Sequence, residues 1–202
     1  MDKSDIVYLY GAGGHAKVIT DILMSKGITV KEVYDDNPNL KELDGIPIVH
    51  EGSYQSPLIV SIGNNIIRKK IVDRIHNIKY EKAIASTAII SHSVCVGEGS
   101  VVMQGAIIQS STKIGKHAII NTGARVDHDC NISDFTHIAP GAILCGNVEI
   151  GEGSLIGAGA TIIPGKKIGK WSVIGAGSTV IKDIPDNVVA IGSPCRIIKY
   201  IE

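Results

Sequence analysis

From Ile84 to Val180 every sixth residue is Ile, Val or Leu, seventeen positions in succession without an exception. Four residues after these positions the side chain is usually small, as at Ala88, Ala106, Ala118, Ala124, Ala142, Ser154, Ala160, Ser172 and Ser178. A period of six fits neither a helix at 3.6 nor a half-buried strand at two. It is a hexapeptide repeat, in which each hexad lays down one flat face of a three-sided parallel β-helix. An eighteen-residue rhythm marks the coils themselves: Val96-Gly97, Ile114-Gly115, Ile150-Gly151 and Ile168-Gly169 recur once per turn. Seventeen hexads make nearly six coils, a prism about 27 Å tall at the spacing of neighbouring strands. The branched residues fill the interior, so ligands must bind outside, at outward positions of the hexads.

Residues 1–80 lack this period and read as a separate domain, with residues 81–202 forming the prism and a C-terminal cap. Ile6–Tyr10 is a buried strand. The turn Gly11-Ala-Gly-Gly14-His15 follows it, and then a helix with Val18, Ile19, Ile22 and Leu23 on one face. Thr29–Tyr34 is a second strand ending in Asp35-Asp36, Leu58–Ile62 a third, and Ile66–Ile78 a second helix with an apolar face of Ile67, Ile71, Ile75 and Ile78. Strand, helix, strand, strand, helix is a small Rossmann-like α/β unit. A glycine turn between strand and helix places a phosphate on helix amides, and an acidic pair closing the second strand suits a ribose or base. Ala16 takes the third glycine position of the dinucleotide fingerprint, and the unit is short, so a mononucleotide carrying a sugar suits it better than NAD.

Twenty basic and twenty acidic residues give a formal net charge of zero, which argues against nucleic acid or an anionic membrane as the main partner. No apolar run is long enough to span a bilayer. The start MDKSDIVYLY reads as polar residues leading into a strand, not as a signal peptide. Cys95, Cys130, Cys145 and Cys195 lack CxxC spacing and read as reduced packing residues of a cytoplasmic protein.

Two histidines share the third position of their hexads, His92 and His128, with Ser110 between them and Gly146 and Pro164 above. His128 lies between Asp127 and Asp129; His92 lies between serines. A carboxylate orients an imidazole and stabilises its protonated form, as a general base requires. Gly146 leaves room and an unobstructed amide, an oxyanion donor. His137, nine residues further, lies half a coil away, so it can meet His128 only across a subunit interface; a homotrimer is expected. His92 and His128 are two strand spacings apart, about 10 Å, too far for one metal ion, and no metal site is expected. His15 belongs to the glycine turn, His50 and His76 read as solvated, and His117 as a turn residue.

Gly11-Ala-Gly-Gly14-His15-Ala-Lys, Asp35-Asp36, Ser61-Ile-Gly-Asn-Asn65 with Arg68-Lys-Lys70, Asn121-Thr-Gly, Val126-Asp-His128-Asp129-Cys130 and Gly192-Ser-Pro194 occur in one order along the whole chain. Together they resemble bacterial nucleotide-sugar acetyltransferases with a left-handed β-helix, most closely the UDP-4-amino-sugar N-acetyltransferases, with sialic acid O-acetyltransferases as relatives. The resemblance implies acetyl-CoA as co-substrate and a nucleotide-linked amino sugar, a UDP-sugar first, as acceptor. It implies His128 as general base oriented by Asp129. His137, Gly146, Ala158 and Ala176 fall on the acyl donor, with His137 supplied by the adjacent subunit. Gly13, Gly14, His15, Asp35 and Asp36 match the nucleotide-sugar pocket, and Asn121 lies near the sugar. The alternatives are a sugar O-acetyltransferase, a non-catalytic nucleotide-sugar-binding protein and, with no role for the prism, a nicotinamide oxidoreductase.

Overall fold

The computed structural model describes residues 6–50 and 52–201, so the polar start of the chain, residues 1–5, lies outside it. The N-terminal unit runs β1 (Ile6–Tyr10), α1 (Gly14–Met24), β2 (Thr29–Tyr34), β3 (Glu42–Leu43), β4 (Ile46–Val49), β5 (Leu58–Val60) and α2 (Asn65–Arg74). Its sheet has the order β3-β4-β2-β1-β5, parallel except for the β3–β4 hairpin. The hairpin is absent from the sequence reading. Its turn, Asp44-Gly45, has φ of 50° and 86°, the two left-handed residues that a tight hairpin takes. Pro47 in β4 hides the signal, because proline argues against a strand except at an edge.

The second helix also differs from expectation. It ends at Arg74, and Ile75 is already extended. Ile71 and Ile75 are buried, but Ile67 is 49% exposed. The buried face of α2 is instead Asn65, Arg68 and Ile71, a stripe at helical spacing that is two-thirds polar and therefore invisible to a search for apolar periodicity.

Seventeen two-residue strands, β6 to β22, follow from Ala83–Ile84 to Thr179–Val180. β6 to β19 each pair in parallel with the strand eighteen residues on; Arg125, for example, lies between Ile107 and Ile143. The result is three flat sheets. The first face starts with Ala83–Ile84 and carries His137–Ile138, the second starts with Ile89–Ile90 and carries Arg125–Val126, and the third starts with Cys95–Val96. β23 (Val188–Gly192) continues the first face in parallel, and β24 (Cys195–Tyr200) folds back on it antiparallel.

The hexad residues meet inside the prism: Val102, Ile120, Ile138, Leu144, Ile156 and Ile174 are fully buried. Each such side chain stabilises the fold by roughly 1.5–3 kcal/mol relative to exposure. The small residues stand at the inner corners, and the polar ones tie coil to coil. Ser100 Oγ donates to the Gly115 carbonyl at 2.7 Å and accepts from Ala118 N at 2.9 Å; Ser154 repeats this with Gly169 and Ser172. The once-per-coil glycines reflect close stacking. A Cβ on Gly97 would lie 2.5 Å from the backbone of Gly115.

The two parts share apolar packing. Leu9, Ile19 and Leu23 of the α/β unit pack in one cluster with Ala83, Val101 and Met103. The outer side of the first coils is thus the floor of the N-terminal unit, and α2 is brought against the first face.

Candidate active site

The strand pairing places His92, Ser110, His128, Gly146 and Pro164 in one column at the corner after the second face. The His128 side chain is 59% exposed, and its Nδ1 lies 2.8 Å from Asp129 Oδ2. Asp129 has φ +58° and donates its amide to the Ser110 carbonyl at 3.0 Å. That left-handed turn brings its carboxylate back to the neighbouring ring. Asp127 does a different job: its Oδ1 accepts the His128 backbone amide at 2.8 Å. The hydrogen bond that the ring donates to Asp129 and the charges of both aspartates raise the His128 pKa above its ordinary value. Because an ionised carboxylate only accepts, the ring nitrogen facing it is Nδ1–H, and Nε2 is left as the basic atom. His92 shares the column, is exposed and has no such partner among the described residues.

The room that Gly146 leaves above His128 is filled by the His128 ring itself. The Gly146 amide makes no backbone hydrogen bond among the described residues, so it is free to donate to a ligand.

A second group lies on the first face, where the prism meets the α/β unit. Asn121 Nδ2 lies 2.9 Å from His137 Nε2. Burial, chiefly, and then the charge of Arg68 lower the His137 pKa to about 4, against the pull of the Gly63 carbonyl. His15 is lowered to about 4 by burial, His137 and Arg68, and its Nε2 has no hydrogen-bond partner among the described residues. His15, Asn121 and His137 thus form one neutral patch. A groove of about 520 Å³ opens beside it between α2 and the prism, with His137, Leu155, Val173, Trp171 and Ile66 in its wall.

Gly13 and Gly14 begin α1, which has no side-chain cap and no acidic residue in its first turn, so its leading amides face outward toward any anion. Gly11, at φ +104°, lies against Ile62, where a Cβ would clash. Asp35 braces this turn: Oδ2 accepts from Ala12 N at 2.7 Å and Oδ1 from Asn37 N at 2.8 Å. Asp36 accepts from the Tyr10 hydroxyl at 2.5 Å and pairs with Arg74 at 3.4 Å. Ala158 and Ala176 are exposed at the corner after the first face, eighteen residues apart in one column.

Within one chain, then, His128 and Gly146 stand at one edge of the prism, while His137, Asn121, Ala158 and Ala176 lie on or beside the first face. His15 approaches the latter group, beside His137.

Two histidines differ from their sequence reading. His117 is 3% exposed, stacked on Phe135 and edge-on to Tyr80; it is a buried seam residue, not a simple turn residue. His50 is exposed yet bridges the Asp35 and Leu40 carbonyls, both at 2.9 Å. Arg68 and Asn65 were given no role in the site from sequence. Their spacing with Ile71 and Ile75, three or four residues each, is the signal that marks them as one face of α2.

Residues 6–75 match the PglD N-terminal domain family, and residues 129–164 match the bacterial transferase hexapeptide (six repeats) family. A solved structure of PerB from Caulobacter crescentus, in complex with CoA and GDP-perosamine, superposes with a TM-score of 0.89 at 40% identity, covering 96% of this chain and 97% of that one. The acetyltransferase domain of PglB from Neisseria gonorrhoeae, also solved with acetyl coenzyme A, is 33% identical, covers 96% of this chain and 100% of that one, and gives a TM-score of 0.89. UDP-N-acetylbacillosamine N-acetyltransferase of Bacillus subtilis is 40% identical over 111 residues, 48% of this chain and 50% of that protein. A protein of Acanthamoeba polyphaga mimivirus is 40% identical over 101 residues, 48% of this chain and 21% of its own length, so the alignments span half or less of these curated relatives. Among the described residues no helix is long and apolar enough to cross a membrane. With both halves matched and the solved perosamine-type enzymes aligned end to end, the chain belongs to the family of nucleotide-sugar N-acetyltransferases that join a PglD-type N-terminal domain to a hexapeptide-repeat β-helix.

Proposed function

We propose that this chain transfers the acetyl group of acetyl-CoA to the amine of a nucleotide-linked 4-amino sugar. It does so as a cytoplasmic homotrimer, with residues 1–80 holding the nucleotide and the prism, residues 81–202, holding the acyl donor. The observation that carries the reading is the His128–Asp129 pair seated against Gly146. The solved relatives with CoA and GDP-perosamine, and the relative named for a UDP-sugar, support the class of both substrates.

In this reading the sugar amine attacks the thioester carbonyl while His128 Nε2 takes its proton. Asp129 holds the ring and stabilises the imidazolium that forms. The Gly146 amide donates to the oxyanion of the tetrahedral intermediate. Attack forms the C–N bond; collapse restores the carbonyl as an amide and breaks the C–S bond, and the CoA thiolate leaves, taking up the proton held by His128. No acyl-enzyme is needed. The neutral patch of His137 and Asn121 meets the acyl donor and the sugar across the boundary with a neighbouring prism, beside Ala158 and Ala176, while His15, Gly13, Gly14, Asp35 and Asp36 face the nucleotide.

Thiol release from acetyl-CoA, measured with a panel of UDP-, GDP- and TDP-linked amino sugars, tests the proposal. Turnover with at least one amino sugar, and none with its hydroxyl counterpart, is expected. Turnover only with hydroxyl acceptors would replace it by O-acetylation; acetyl-CoA binding without turnover on any acceptor would point to a non-catalytic protein.

A further inference from the structure

The seam between the α/β unit and the prism encloses a cation with no carboxylate paired to it among the described residues. Arg68 is 1% exposed, and its guanidinium N–H groups meet six oxygens. Nε donates to the His117 carbonyl at 2.8 Å. Nη1 donates to Ile62 O at 2.8 Å and Gly63 O at 3.3 Å. Nη2 donates to Asn65 Oδ1 at 2.8 Å, Phe135 O at 2.9 Å and Thr136 O at 3.2 Å. These acceptors belong to the turn after β5 and to two successive coils, eighteen residues apart. Asn65, held by Arg68, extends the tie to a third coil by donating to Gly153 O at 3.0 Å and Ser154 O at 3.2 Å. A lysine has three donors on a point charge and cannot satisfy this set; a neutral side chain would leave the His117, Phe135 and Ile62 carbonyls turned inward without a donor among the described residues.

What adjoins the clamp gives it a consequence beyond packing. Thr136 precedes His137, and Gly63, whose carbonyl accepts from Arg68, also faces the His137 ring. Asn121 Oδ1 accepts from Thr122 N at 2.7 Å, so its Nδ2 is the atom turned to His137 Nε2. Nε2 therefore accepts, and the single ring proton is on Nδ1. The groups facing this ring are Arg68, His15, Asn121 and the Gly63 carbonyl; a buried cation beside it opposes a second positive charge.

We infer that Arg68 is a positioning residue, which together with Asn65 locks the turn Ile62–Asn65 against three coils and, through Thr136, seats the His137 ring in the one tautomer bonded to Asn121. Ile62 of this turn packs against Gly11 of the glycine turn, so the nucleotide side and the acyl-donor side of the site are fixed to each other through this clamp. The kinetic consequence rests on the acetyl-transfer reading; the state of the ring does not.

The test is nitrogen-15 NMR of the histidine rings in the full-length protein, with His137 assigned by loss of its signals in His137→Gln. In the wild type, His137 is expected to stay neutral from about pH 5.5 to 8 in the Nδ1–H form, given its lowered value of about 4. In Arg68→Met its titration midpoint should move upward; in Arg68→Lys, which keeps the charge, it should stay low. Loss of charge-assisted hydrogen bonds to the turn should raise the nucleotide-sugar KM of Arg68→Lys by about tenfold or more with kcat within about threefold, since His128 is untouched. A wild-type His137 that titrates near neutrality or carries its proton on Nε2 would overturn the inference. So would an unchanged midpoint in folded Arg68→Met, or an unchanged KM in Arg68→Lys. If Arg68→Met does not fold, the wild-type tautomer and Arg68→Lys decide. Absence of acetyl transfer by the wild type would sink the reaction instead, leaving the ring measurement to judge Arg68.

Discussion

His128 and Gly146, one coil apart in the same column, are in direct contact: a Cβ built on Gly146 would lie 2.6 Å from Cε1 and 2.7 Å from Nε2 of the imidazole. The glycine is therefore a steric condition for the ring's position, in addition to any donation from its amide. Gly146→Ala should push the ring off Asp129 and lower kcat by roughly 10²-fold, the lower end of what general-base catalysis contributes. The exposed ring can swing away, so thermal stability should change little. A melting curve and a kcat measurement on the same sample separate the two effects; unchanged kcat would show that the ring has room elsewhere.

The base itself should be worth about 10²–10⁴-fold in kcat. His128→Ala is expected to lose that factor with little change in nucleotide-sugar affinity, Asp129→Asn to lose less, and His92→Ala to match the wild type. If His92→Ala were as damaging as His128→Ala, the assignment would fail.

The pH profile carries a sign. The aspartates raise the His128 pKa, and the base must be unprotonated, so the acidic limb of kcat should lie above the value of an ordinary imidazole. Asp129→Asn removes the main cause and should shift that limb to lower pH. A shift to higher pH, or none, would contradict the role given to the carboxylate.

His15, His117 and His137 are each lowered to about 4, chiefly by burial. Between the ordinary histidine value of about 6.5 and about 4 the unfolded chain binds protons that the folded chain refuses, so stability should fall as pH falls through that window. The loss should be complete once pH reaches the folded values. Denaturant midpoints at pH 7, 6, 5 and 4 would record it, and His117→Phe should flatten the slope.

A site shared between subunits can be tested by mixing. His128→Ala and His137→Ala trimers, each impaired alone, should regain activity when denatured together at equal amounts and refolded. If each site takes one residue from each of two neighbours, about a quarter of sites carry both intact histidines in a random closed ring. Recovery near that fraction supports the trimer; no recovery would mean that both residues act within one chain.

Much of this was written in the sequence, for identifiable reasons. A solenoid repeats one local decision: the branched residue at each sixth position can only face inward, so period, coil length, strand register and the column of His128 follow by counting. The pairing of His128 with Asp129 was also local, because the two are adjacent and the turn between them is tight. What counting could not reach was the N-terminal unit's edge and its contact with the prism. The β3–β4 hairpin is short and carries Pro47. The buried face of α2 is polar, since Asn65 and Arg68 satisfy carbonyls on coils 49 to 89 residues away. Those acceptors converge only after the prism has wound, so no pattern along the chain announces them. For the same reason the burial of His117 and His137 has no signal along the chain, whereas the two aspartates that mark His128 are its neighbours in sequence.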